Sequence, residues 1–197
     1  MLVSAIKREA ERRELMSAVQ TKGSSAAPPE ALLDRGMVVG MRSDAEGRLQ
    51  EVSALDRYHV RESRVREVIA DVGAYRSFVP GVDGSAVVAR SGLDSVYRLE
   101  MALPILTWVT TYQQRVAEHV IEGEGIGGDL VGARYRWDLG ARGADRTIVT
   151  YRANQPLAKS SILVRKLFAV DAWLEYGLNV AFALVQLRSM RARAETW

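Results

Sequence analysis

From Ser85 to Arg152 the chain writes one strand pattern after another, and a long helical pattern then runs toward the C-terminus. VYRLEMAL places Tyr97, Leu99, Met101 and Leu103 on one face and Arg98 and Glu100 on the other. TWVTTYQQRV brings Trp108 and Tyr112 together, DLVGARYRWDL sets Tyr135 with Trp137 opposite Arg134 and Arg136, and RTIVTYRA sets Val149 with Tyr151. Side chains alternate sides along a strand, so this pattern predicts an antiparallel sheet with one covered face and one wet face. Beyond Pro156, the segment from Lys159 to Glu195 reads as one long helix with Gly177 as its candidate bend. Leu163, Leu167, Val170, Leu174, Leu178, Ala181 and Val185 form an apolar stripe at steps of 3 and 4 residues. A one-faced sheet and an amphipathic helix bury each other when the helix lies across the sheet, which makes an α+β domain.

Ahead of these strands, GMVVGMRS, the turn residues DAEG and RLQEVSALDRYHV predict a first β-hairpin. Val65, Val68, Ile69 and Val72 then fall at helical spacing, with Gly73 as the stop and Pro80-Gly81 as a turn. Residues 2–19 read as a charged helix with a weak stripe (Leu2, Ile6, Met16, Val19), and TKGSSAAPPE reads as a linker. The expected organisation is an N-terminal helical extension and linker over 1–33 and one ligand-binding domain over 34–197.

Composition narrows the chemistry. The 197 residues are 48% hydrophobic, enough for one domain with a sizeable core. Lys and Arg total 27 against 24 for Asp and Glu, with no basic block, so no nucleic-acid partner is expected. The absence of cysteine excludes disulfides, thiolate metal sites and a cysteine nucleophile. The two histidines, His59 and His119, lie far apart in sequence, and no G-x-S-x-G elbow accompanies either. No metal, cofactor or catalytic residue is therefore assigned, and His59 reads as a rim residue beside Tyr58. MLVSAIKREAERREL lacks the apolar core of a signal peptide, and GLNVAFALVQL is shorter than the roughly 20 residues of a membrane span. The expected location is the cytoplasm, with peripheral membrane contact as an extension of it.

Gly123, Gly125 and Gly128 in IEGEGIGGDL match the G-x-G-x-x-G spacing of a dinucleotide loop. Such a loop needs a strand before it and a helix after it. Here QQRVAEHVIEG precedes the glycines, and the alternating DLVGARYRWDL follows them. The glycines are expected at a strand-to-strand connection, supplying bulges and positive φ to a bent sheet, with Glu122 and Glu124 as solvated turn carboxylates.

The order hairpin, short helix, strands, long helix is the helix-grip arrangement. DVGAYRSFVPGVDGSAVV and IEGEGIGGDLVGARYRWDLGARGADRTIVTYRA resemble segments of the START-like (SRPBCC) superfamily. The nearest subgroup is the polyketide cyclase/dehydrase and coenzyme-Q-binding type, over residues 36 to 190. The resemblance implies a curved antiparallel sheet wrapped around a long C-terminal helix, with an elongated cavity between them for apolar ligands. It makes Asp71, Tyr75, Phe78 and Pro80 a helix-to-strand signature, and Gly123, Gly128, Trp137 and Tyr151 strand-signature positions, none of them catalytic. Where W-x-x-G-x-W often stands, this chain has VGARYRW.

Tyr97, Leu99, Met101, Trp108, Tyr112, Tyr135, Trp137 and Tyr151 thus form one inward-facing set. Leu174 and Leu178 join them from the helix as expected ligand contacts. Apolar walls with a few phenol or indole tips suit a ligand site as well as a filled core. The expected function is binding or transport of an apolar small molecule or lipid: an isoprenoid quinone, an acyl chain or a polyketide. The alternatives are a polyketide cyclase or aromatase and a protein-interaction module of the ribosome-associating kind. A second helical set, Trp173, Tyr176, Val180, Leu184 and Leu187, would be an exposed apolar patch if uncovered. Intramolecular cover by edge strands or the first short helix is the leading expectation, with a homodimer next. Docking of the N-terminal helix and contact with a membrane surface follow. Arg165, Glu175, Asn179 and Gln186 are assigned to the polar face.

Overall fold

The computed structural model describes residues 30–103, 106–171 and 173–196. The expected helix over 2–19 and the body of the linker lie outside the described residues. A one-turn helix α1 (Glu30–Leu33) leads into β1 (Val38–Ser43) and β2 (Leu49–Tyr58), which pair as the predicted hairpin. Then come α2 (Glu62–Ala70), a 3₁₀ segment (Val72–Ser77), β3 (Val82–Ser91), β4 (Asp94–Leu103) and β5 (Leu106–Val116). β6 (Val120–Gly128), β7 (Arg134–Ala141) and β8 (Thr147–Asn154) complete the strands, and α3 (Ile162–Val170) and α4 (Trp173–Glu195) close the chain.

The alternation in sequence becomes one eight-stranded antiparallel sheet in the order β1-β2-β8-β7-β6-β5-β4-β3. Its register lines the inner-face aromatics up across strands: Tyr97 opposite Tyr112, Met101 opposite Trp108, and Trp137 opposite Tyr151. All six are buried, while Arg98 and Arg134 on the other face are exposed. QQRVAEHVIEG is not one strand: Ala117 donates to the Val120 carbonyl at 2.8 Å, closing a tight turn between β5 and β6.

Glu122 and Glu124 correspondingly lie within β6 rather than in a turn. They face Arg136 and Arg134 across to β7 at 3.3 and 3.1 Å, as cross-strand ion pairs on the wet face. The edge strand β3 carries irregularities between Val82 and Gly84 and between Val87 and Ala89, and its outer half is largely exposed.

Helix α2 buries Val65, Val68 and Ile69 and ends at Asp71, two residues before the expected stop at Gly73. The chain then continues as the 3₁₀ segment, with Val72 and Tyr75 buried. The Tyr75 hydroxyl donates to the Ile69 carbonyl at 2.6 Å, satisfying an otherwise orphaned helix-end acceptor.

The expected single helix after Pro156 is two helices. The Ser161 side chain caps α3 by accepting from the Val164 N–H at 3.1 Å. Asp171 adopts an extended conformation at the C-terminus of α3 and accepts from the Trp173 N–H at 2.9 Å, capping α4. The helix axes turn by 118° across this elbow, and Gly177, the expected bend, lies inside α4. Among the described residues no single helix is long and apolar enough to cross a membrane.

The buried face of α4 also differs from the stripe read in the sequence. Asn179, Phe182, Ala183, Leu187, Met190 and Ala194 are buried, whereas Leu174 and Ala181 are exposed. The true face runs between the two expected apolar sets. Leu187 of the second set is fully buried, and Val180 and Leu184 are half-buried. The Tyr176 hydroxyl is held by the Ser43 hydroxyl at 2.8 Å and by the Gly47 carbonyl, so the β1–β2 hairpin covers part of that set. Trp173 alone of the set stays more than half exposed.

Candidate ligand-binding site

The inner aromatics meet because β6 is stripped of side chains where β7 needs room. Gly123 pairs with Tyr135, and a Cβ on Gly123 would run into the Tyr135 ring. With hydrogen there instead, Tyr135 lies across β6 and its hydroxyl donates to Gln114 Oε1 on β5 at 2.8 Å. The Tyr97 hydroxyl on β4 donates to the Tyr135 hydroxyl at 3.0 Å, extending the chain over four strands. Gly125 and Gly128 allow equally close approach, to the Leu130 and Val109 carbonyls, and Gly128 has a φ of +86° at the strand end. The glycine spacing therefore serves sheet curvature and aromatic packing. All three glycines belong to β6, Gly128 as its last residue, not to a connection as expected, and β7 follows where a dinucleotide loop would need a helix.

Ring contacts knit the cluster. Tyr97 stacks on Tyr112 at 5.4 Å, Tyr112 meets Tyr135 edge-on at 5.8 Å, and Trp137 tilts against Tyr151 at 4.4 Å. From α4, Phe182 comes down edge-on against Trp108 at 5.7 Å. Between these rings and α4 a cavity of about 30 Å³ remains, room for roughly two water molecules. A drug-sized ligand needs roughly 300–1,000 Å³, so larger occupants require the walls to part.

Burial pushes the Tyr75, Tyr97, Tyr112, Tyr135 and Tyr151 phenols above the usual tyrosine range, because a phenolate is poorly solvated there. For Tyr97 and Tyr135 neighbouring tyrosines add to the effect. All five stay neutral around pH 7 and act as hydrogen-bond donors and acceptors, not as bases. A larger open trough of about 500 Å³ includes charged side chains of the wet face. Its Arg134, Arg136 and Arg152 are engaged by Glu124, Glu122 and Asp138.

No protein-family model matches the sequence, and no curated protein matches it as a relative. Solved structures do resemble its fold. A STAR-related lipid transfer protein fragment from Xanthomonas axonopodis superposes with a TM-score of 0.66 at 19% identity, covering 87% of this chain and 97% of that one. Human STARD10 gives a TM-score of 0.65 at 14% identity, covering 92% and 77%. The Zhui aromatase/cyclase from Streptomyces sp. R1128 gives 0.57 at 17%, covering 74% and 93%.

The fold is START-like.

Within this START-like frame, most of the expected contacts come together. Tyr97, Leu99, Met101 and Tyr112 line the cavity from β4 and β5, and Tyr135, Trp137 and Tyr151 line it from β7 and β8. Trp108 is buried one layer back, behind Phe182. Leu174 and Leu178 are not brought to the cavity: Leu174 is exposed at the elbow, and Leu178 packs half-buried against the core.

The lining also holds residues that the strand pattern does not pick out. Tyr75 comes from the 3₁₀ segment, Gln155 from just past β8, and Phe182 and Gln186 from α4. Asn179 and Gln186 were expected on the polar, outer face of the helix, yet Asn179 is buried and Gln186 lines the cavity. Asn179 is tolerated there because its Nδ2 donates to the Glu175 carbonyl at 2.9 Å.

Proposed function

We propose that this protein binds and carries a small apolar molecule between the sheet and α4. The observation that carries this reading is the aromatic cavity itself, placed where the START-like fold encloses space. The neighbours' own names, a lipid transfer protein and an aromatase/cyclase, support the same class of ligand. Affinity would come from removing apolar ligand surface from water, at about 25 cal/mol per Å² before the costs of ordering. Because the cavity is small, binding requires Phe182, the one large side chain that α4 adds to the lining, to swing or lift away. Exchange with a membrane is assigned to the elbow, where Val170, Trp173 and Leu174 are exposed near exposed Arg165 and Lys166. That combination of indole, aliphatic and basic groups suits a lipid interface.

The test is titration with a neutral solvatochromic dye such as Nile red. Sub-millimolar binding is expected, tighter in Phe182→Ala and weaker in Phe182→Trp. A folded wild type and a folded Phe182→Ala that both leave the dye in water overturn the proposal. Native mass spectrometry of the protein from its own host would then name the ligand.

One observation favours a second reading, a cyclase or aromatase: the Tyr97–Tyr135–Gln114 chain could orient a poly-β-ketone. Phenols held neutral by burial orient a carbonyl, and among the described residues the lining offers no base for enolisation, so carriage is the stronger reading. Cyclisation above a buffer control that Tyr135→Phe abolishes would reverse this order.

A further inference from the structure

We infer that the ligand's polar end is uncharged, a ketone, quinone, phenol or ester, and not a carboxylate, phosphate or ammonium. This rests on the carriage reading above and narrows it to a chemical class.

Among the described residues, the cavity has walls that can hydrogen-bond but none that can neutralise a charge: no Arg, Lys, His, Asp or Glu of these lines it. Its polar groups are phenols, which burial keeps protonated, the Trp137 indole N–H, and the amides of Gln155 and Gln186, none with a net charge. An ion brought among them would lose its water without gaining a counter-ion, which is strongly unfavourable in a low-dielectric site.

A second, independent feature lies behind the rings. Gln114 is fully buried, its Oε1 accepts from Tyr135, and its Nε2 has no hydrogen-bond partner among the described residues. The donor at the open end of this chain, the Tyr97 hydroxyl, can rotate. Tyr97 can turn from donating to Tyr135 to donating to a ligand carbonyl while Tyr135 goes on donating to Gln114 Oε1. The chain thus accommodates a neutral acceptor without any change of protonation.

Two charged alternatives fail on geometry. α4 itself offers a carboxylate on the cavity side, since Glu175 is spaced at steps of 4, 3 and 4 residues with Asn179, Phe182 and Gln186. Among the described residues no cation lies in the lining, so nothing there offsets the water that an anion would lose on entry. A quaternary ammonium would need open aromatic faces. Here stacking takes up one face each of Tyr97 and Tyr112, and Trp137 and Tyr151 lie against one another, which leaves no cage of open faces around a cation from these four rings.

The experiment is displacement of Nile red from the full chain by a tail-matched set, each below its micelle concentration. The set is 2-tridecanone, methyl laurate, laurate, dodecyltrimethylammonium and dodecane. The ketone and ester should bind about tenfold more tightly than dodecane, the worth of one well-made hydrogen bond. At pH 8.5 laurate should bind at least about 100-fold more weakly than its methyl ester. Laurate should then recover about tenfold per pH unit as it becomes protonated. Tyr135→Phe should remove most of the advantage of the ketone over dodecane and leave dodecane unchanged.

Laurate at pH 8.5 or the ammonium binding as tightly as the ester overturns the inference while leaving carriage intact. Dodecane matching the ketone in wild type overturns it too, because the polar groups would then read nothing. Failure of every compound and of the dye removes carriage and inference together. The wild-type ranking decides the matter even if Tyr135→Phe does not fold.

Discussion

Replacing Gly123 by alanine is the sharpest test of how the aromatic cluster is held. In an ordinary strand Gly→Ala is neutral or stabilising by about 0.4–1 kcal/mol, because it restricts the unfolded chain. Here the new methyl would occupy the space of the Tyr135 ring. The ring must leave or the strands must part, an overpacking cost of about 1–3 kcal/mol. If the ring leaves, Gln114 loses its hydroxyl donor while remaining fully buried, which adds about 1–3 kcal/mol. The expected loss is about 2–6 kcal/mol. For a domain of this size 1 kcal/mol corresponds to about 2–4 °C, so a loss of about 3 kcal/mol lowers Tm by roughly 6–12 °C.

Urea unfolding followed by tryptophan fluorescence, with the slope checked for constancy, gives the free energy directly. The decisive comparison is the same substitution in a Tyr135→Ala background. With the ring gone, Gly123→Ala should cost little or become stabilising, a coupling of at least about 1 kcal/mol. A Gly123→Ala protein as stable as wild type, or a full loss that persists without the ring, would refute this account of the site.

Other outcomes follow from specific contacts. His119 Nδ1 lies 2.6 Å from Glu62 Oε1, and that hydrogen bond pushes the imidazole upward, so its contribution is full below about pH 6.5 and fades as pH rises through the elevated value. His119→Gln should therefore lower Tm at pH 5.5 but match wild type at pH 9, as read by thermal melts in matched buffers. Arg191 pairs with buried Asp56 at 3.4 Å while itself partly exposed, so Arg191→Met should cost about 1–3 kcal/mol in urea unfolding at pH 7, reduced by solvent screening. NAD or ATP should leave Tm unchanged, because the glycine spacing lies in a strand; a rise of several degrees would contradict that assignment. Trp173→Glu at the elbow should reduce co-sedimentation with lipid vesicles without lowering Tm, and unchanged co-sedimentation would remove the elbow as the contact surface.

The sheet was readable in the sequence because strand periodicity is unambiguous when one face is aromatic and the other charged or polar. Tyr97, Tyr112, Trp137 and Tyr151 declare the inner face through their alternation with Arg98, Gln113, Arg136 and Arg152. The helical half was less legible for two physical reasons. Apolar residues continue through VDAWLEYG, so periodicity alone does not betray a break; the available signal was Asp171, a good cap that both ends α3 and starts α4. The inward face is hidden in the sequence because polarity puts Asn179 and Gln186 on the outside. A cavity between helix and sheet reverses that rule, since amides facing it are useful and a backbone carbonyl can satisfy one of them. Tyr75 and Gln155 escaped because neither lies in a strand or α-helix, where spacing assigns a face.

The interruptions in β3 have a consequence for the chain's life among many copies of itself. An outermost strand with unpaired amides and exposed valines, here Val87 and Val88, is a template on which another molecule can crystallise its own strand. Regular polymerisation of that kind requires a straight, evenly spaced row of donors and acceptors. The two slips in β3, one at each end of its central run, break the row and twist it out of plane. The rim of the sheet is thereby made a poor seed, and the chain can hold an oily interior under a long antiparallel sheet without inviting its neighbours to extend it.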